Sequence, residues 1–143
     1  MTVRDSQPDA KPNAAVRLFT ASYGAWRPEH GAPVVTSLTV PKWLPEAKSW
    51  PRLWPATPRW SYFRASDHDF NRQYLAQLER YGAEQIARRL AEIARSGFAE
   101  PAEALVFLCW ETDPGRCHRS LWALWWHAAT GQLITEITKE ENR

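Results

Sequence analysis

One short stretch, Cys109-Trp110-Glu111-Thr112-Asp113-Pro114-Gly115-Arg116-Cys117-His118-Arg119, gathers most of the side-chain types that do chemistry in this chain. A thiol at the start of a helix faces backbone N–H groups and the positive end of the helix dipole, which favour its thiolate. Cys117 is therefore a candidate nucleophile or redox thiol, with Arg116, His118 and Arg119 beside it as candidate ligand-binding groups. The same helix end suits a phosphate or a carboxylate. Glu111 stands two residues beyond Cys109, so on a strand both emerge on one side. That makes Glu111 a candidate base or ribose-hydroxyl partner, with Cys109 a third catalytic candidate. Each has a plainer reading. Free cysteine is among the most buried residue types, and Arg119 has Glu111 and Asp113 within reach across a turn.

Other chemistries fit less well. Zinc sites favour a Cys-x-x-Cys pair, absent here, and adjacent helical residues such as Cys117 and His118 seldom share one ion; His68 or His127 would have to complete the set. No metal and no cofactor are assigned. A tyrosine-phosphatase loop needs arginine six residues after its cysteine, where Cys109 has Gly115. Serine-hydrolase and phosphate-loop signatures are missing.

These residues need elements to hold them. Ala104-Leu105-Val106-Phe107-Leu108-Cys109 is a continuous apolar run, expected of a strand buried on both faces. A helix from about Cys117 to Ala129 follows, with Leu121, Leu124, Trp125 and Ala128 on one stripe. Upstream, Val16 to Tyr23 reads as a strand ending at Gly24, and Pro33 to Val40 as a second. Asp67 is expected to cap a helix ending near Gly82, and another carries Ile86, Leu90 and Ile93 and stops at Gly97. Gln132 to Thr138 fits a short edge strand. The order predicts a small α/β fold: a three-layer-like sheet of about three or four mostly parallel strands packed with helices. In it the C-terminal strand-loop-helix carries the Cys/His/Arg motif, where open α/β sheets place ligands. Thr20, Ser22 and Tyr23, ending the first strand, are expected to line the same crevice.

The chain has 143 residues, enough for one domain, here taken as residues 15–143 after a disordered arm over 1–14. A net charge of +2 predicts neither a strong nucleic-acid binder nor a membrane binder, and no run reaches the length of a membrane span. Two cysteines are too few for a disulfide scaffold, which points to a reducing, cytoplasmic setting. Nine tryptophans are unusual in such a chain. Four of them (Trp43, Trp50, Trp54, Trp60) are interleaved with five prolines between Pro41 and Trp60, with Lys42, Lys48, Arg52, Arg59 and Arg64 nearby. Aromatics between cations are how proteins stack single-stranded bases; with so little net charge, an aromatic lid over the helix end is the preferred reading. Exposed aromatics also leave homodimerisation open.

Leu108-Cys109-Trp110-Glu111 and Cys117-His118-Arg119 together resemble the DUF488 family, a domain of unknown function. The resemblance takes in Phe19 to Gly24, Thr36 to Trp43 and Trp125 to Gly131, and spans about Val16 to Ile137. It implies an α/β fold with a site at the two cysteines, and no particular reaction. The Pro41 to Trp60 segment is heavier in tryptophan than the family pattern requires.

The leading expectation is thus a protein that binds, and possesses groups to act on, a phosphorylated or nucleotide-like ligand at the Cys-x-Glu and Cys-His-Arg residues. The alternative is a non-enzymatic nucleic-acid or nucleotide sensor working through loop 41–60. A metal- or redox-responsive thiol site ranks third.

Overall fold

The computed structural model describes residues 16–111 and 118–139. The N-terminal arm over 1–14, together with Arg116 and Cys117, lies outside the described residues.

Four strands form one sheet: β1 (Arg17–Ser22), β2 (Ala32–Val35), β3 (Ala104–Cys109) and β4 (Ile134–Glu136), in the spatial order β2-β3-β1-β4, every pair parallel. β3 is buried along its whole length. Its alternation explains the unbroken apolar run. Leu105 and Phe107 join a core with Leu18, Val34, Trp122 and Trp126 on one face, while Val106 and Leu108 pack with Ala21, Tyr23 and Ile137 on the other. A parallel sheet needs cover on both faces. The first face is covered by α1 (Trp60–Phe63), α2 (Asp67–Tyr81), α3 (Ala83–Ser96) and α4 (His118–Thr130), whose Tyr62, Tyr74, Leu78, Ile86 and Leu90 fill the same cluster. The second is covered by the irregular chain carrying Trp26, Val40, Leu44 and Trp50. The molecule is an α/β protein of the expected small type.

Local chemistry sets the boundaries. Ser66, one residue before the expected cap, stops the chain from fraying at α2: its Oγ accepts from the Asp69 amide, and Asp67 and Asp69 sit in the first turn, where the dipole favours them. Gly82, at φ +83°, both ends α2 and opens α3. β2 is shorter than the β-branched run suggested. It ends at Val35; the Thr36 amide makes the last ladder bond, to the Leu108 carbonyl, and the Thr36 hydroxyl donates to the same oxygen. The Pro/Trp segment is not simply extended. It contains two 3-10 turns, Pro45–Ser49 and Trp54–Ala56, and between them Arg52 makes a parallel bridge to Val35 along the sheet edge.

Gly31, immediately before β2, has φ +145°, and a Cβ there would stand 3.0 Å from both Cβ and carbonyl oxygen of Ala104. Gly31→Ala is therefore expected to lower stability by about 1–3 kcal/mol, from backbone strain and overpacking together. A shifted urea midpoint with unchanged slope is the signature to measure.

Candidate functional site

The carboxyl ends of β2 and β3 open into a cavity of about 520 Å³, within the ~300–1,000 Å³ range of small-molecule pockets. Three segments wall it. Ser37, Leu38 and Thr39 continue β2; Cys109, Trp110 and Glu111 close β3; His118, Ser120 and Leu121 begin α4. The fourth wall is the corner between α1 and α2, with Trp60, Phe63, Asp67, Phe70 and Asn71. Trp60 packs edge-on against Phe63 at 5.5 Å, and Phe63 against Phe70 at 6.4 Å, forming a continuous aromatic surface. Trp60 is 64% exposed and Phe63 44%, so these rings are only partly used by the core.

The sequence candidates divide sharply. Cys109, Glu111 and His118 all line the cavity. Glu111 is exposed, and its carboxylate has no hydrogen bond or ion pair with any described residue. Cys109 is buried at 1% exposure and its sulfur is disulfide-bonded, whereas composition suggested reduced thiols. Counting cysteines measures only how much a fold depends on crosslinks, and says nothing of the state of one particular sulfur.

His118 does not serve as a cation. It is buried, its Nε2–H donates to the Thr36 carbonyl at 2.7 Å, and its ring lies edge-on to Tyr74 at 5.4 Å. Burial pushes its pKa down to about 4; the Thr36 hydrogen bond opposes the shift and the neighbouring Arg119 charge adds to it. A neutral imidazole contributes a dipole and a fixed hydrogen bond.

Arg119 was expected to hold a ligand anion; instead its charge is consumed inside the protein. It is 0% exposed and grips the Glu136 carboxylate in a two-point contact, Nε to Oε1 at 3.0 Å and Nη2 to Oε2 at 3.0 Å. Its Nη1 donates to Cys109 Sγ at 3.0 Å and to the Glu111 carbonyl. The Thr20 hydroxyl donates to Glu136 Oε1 at 2.6 Å. This network ties the ends of β3 and β1 to β4, and so holds Cys109 and Glu111 where they meet the cavity. Planar two-point recognition of a carboxylate is what a guanidinium does well.

Thr20, Ser22 and Tyr23 do not line the cavity. Thr20 supports Glu136, and Ser22 Oγ accepts from the Ala25 amide to shape the turn. The Tyr23 hydroxyl meets Ser37 Oγ at 2.6 Å, and Ser37 in turn donates to the Thr39 carbonyl. Polar side chains at a strand end suggest a crevice lining, but the alternation of β1 puts Thr20 and Ser22 on the face of Leu18 and leaves Tyr23, just past the strand, on the opposite face with Ala21, each with an intramolecular partner. Burial raises the Tyr23 pKa, so the phenol stays protonated.

Sequence reasoning missed Glu136, because nothing in a three-residue edge strand announces an ion pair with a helix. Nor does the sequence single out Phe63, Asp67, Phe70 or Asn71 for the site, whereas Trp60 belongs to the aromatic segment expected to cover it. The tryptophan-rich segment is not one lid: Trp60 reaches the cavity, Trp50 packs against Trp26 at 4.9 Å on the far face of the sheet, and Trp54 lies under Arg52 and Arg59. Among the described residues no group of three or more His, Cys, Asp or Glu side chains is placed to hold a metal ion, and no helix is long and apolar enough to cross a membrane. No protein-family model matches the chain, and neither a curated protein nor a solved structure matches it.

Proposed function

We propose that this protein binds a nucleotide-like small molecule in the cavity at the carboxyl ends of β2 and β3, and that its Cys-x-Glu and Cys-His-Arg motifs place it with the DUF488 family. The observation that carries the reading is the cavity itself, bordered both by an aromatic wall and by the first turn of α4. A planar base stacks on Trp60 and Phe63, the rings that the core leaves partly open. An anionic group lies toward the start of α4, whose first turn contains no acidic residue to cancel the positive end of its dipole. Glu111, exposed at the cavity, is the group positioned to accept a hydrogen bond from a ribose hydroxyl or to take up a proton. Arg119 acts here as a positioning residue. It contributes through Glu136, Cys109 and the Glu111 carbonyl rather than by touching ligand.

Calorimetric titration with AMP, adenosine and inorganic phosphate tests this. AMP is expected to bind once per chain and more tightly than phosphate, and Trp60→Ala to weaken it by about tenfold, the loss of one stacked ring. AMP that does not bind, or binds with the same affinity to Trp60→Ala and Phe63→Ala, would exclude the cavity as a nucleotide site.

A further inference from the structure

The described walls of the cavity have a charge pattern that narrows what ring they accept. Asp67 stands between Phe63 and Phe70 in the chain and lines the cavity with both. Glu111 supplies a second carboxylate from the end of β3. Neither carboxylate is hydrogen-bonded or ion-paired through its side chain with a described residue. Asp67 lies in the first turn of α2, where Asp69 shares its favourable effect on the dipole. Among the described lining residues there is no lysine and no arginine, and the one histidine is locked against the Thr36 carbonyl.

Ring faces are electron-rich and attract cations held over them, most strongly where water is excluded. Open aromatic faces next to carboxylates that have no partner among the described residues therefore favour a delocalised cation over a neutral base. We infer that the ring seated against Trp60, Phe63 and Phe70 is a cationic nitrogen heterocycle, an N-alkylated or N-glycosylated pyridinium or a comparable quaternised base. The inference rests on the proposed ligand site and specifies its substrate class. The ligand then lies with its charge pattern matched to the protein: ring cation at the α1–α2 corner, anionic group toward the start of α4.

The experiment compares nicotinamide mononucleotide, which has a pyridinium ring, with AMP, which has a neutral one, by calorimetry at pH 7.5. The simple pair N1-methylnicotinamide and nicotinamide serves as a test of the ring alone. The cationic member of each pair is expected to bind about tenfold more tightly or better. In the Asp67→Asn/Glu111→Gln double variant the preference should fall toward parity. Circular dichroism and the urea midpoint of that variant check that it is folded. Equal affinity for the two members of each pair, with binding still lost in Trp60→Ala, would overturn the cationic ring and leave the nucleotide site standing. Binding of the pyridinium that ignores both Trp60→Ala and the double variant would overturn the inference and the site together.

Discussion

Replacing Arg119 with methionine is expected to lower the free energy of unfolding by about 3–5 kcal/mol, the range seen when one partner of a buried ion pair is removed. The guanidinium is 0% exposed, and the Glu136 side chain only 23%. With Arg119 gone, a carboxylate is left largely desolvated with only the Thr20 hydroxyl, and the Glu111 carbonyl loses its donor. Both are expensive states for polar groups away from water. Arg119→Lys keeps the charge but cannot span both carboxylate oxygens while also reaching the Cys109 sulfur, so it is expected to recover only part of the loss. Combining Arg119→Met with Glu136→Leu removes both charges and should be milder than the sum of the single changes. Urea unfolding of the four proteins forms a double-mutant cycle. Additivity within about 0.5 kcal/mol would mean that the pair is not coupled as its geometry requires.

The second large effect is acid lability at His118. Its pKa in the folded protein is about 4, against about 6.5 in an unfolded chain. Between those values the unfolded state binds the proton and the folded state does not. The contribution of His118 is therefore fully present above pH 6.5 and is lost as the pH falls toward 4. The separation corresponds to about 3 kcal/mol. His118→Gln keeps a donor for the Thr36 carbonyl and removes the titration. Its stability at pH 7 is expected to be lower, since the ring contact with Tyr74 is lost, but its profile between pH 6.5 and 4 should be flatter than that of the parent by that amount. Parallel profiles would show that His118 does not titrate as a buried imidazole.

These residues also mark where sequence reasoning succeeds. The run Ala104 to Cys109 declares a fully buried strand because every position on both faces must be apolar. Gly82 and Gly97 declare helix ends because each lies where an apolar helical stripe stops, and the short edge strand Ile134–Glu136 lies within Gln132 to Thr138. That Cys109, Glu111 and His118 share a cavity follows from one strand, one turn and one helix, a local arrangement. The rest is not local. Arg119 finds its carboxylate on β4 rather than at Glu111 or Asp113, the nearest acids in the chain, because β4 docks against β1 and brings Glu136 to Thr20. The aromatic wall comes from α1 and α2, far upstream, and periodicity assigned Phe70 to a helix without showing that its ring borders a void. In the Pro/Trp segment composition gave stiffness but no direction. Trp50 and Trp60 lie only ten positions apart in the numbering, yet they serve opposite faces of the sheet.

β1 is an inner strand whose neighbours are both made later: Arg17 aligns with Ala104 of β3, and Leu18 with Ile134 of β4. During synthesis β1 therefore emerges with both hydrogen-bonding edges unpaired; one stays open until residues 104–109 have followed and the other until residues 134–136 have. Helices α2 and α3 can form early from local contacts, but the sheet cannot close one pair at a time from the N-terminus. Folding should accordingly be limited by the arrival of β3 between β2 and β1. Chains released without residues 134–136 would carry an exposed strand edge ready to pair with a neighbouring molecule.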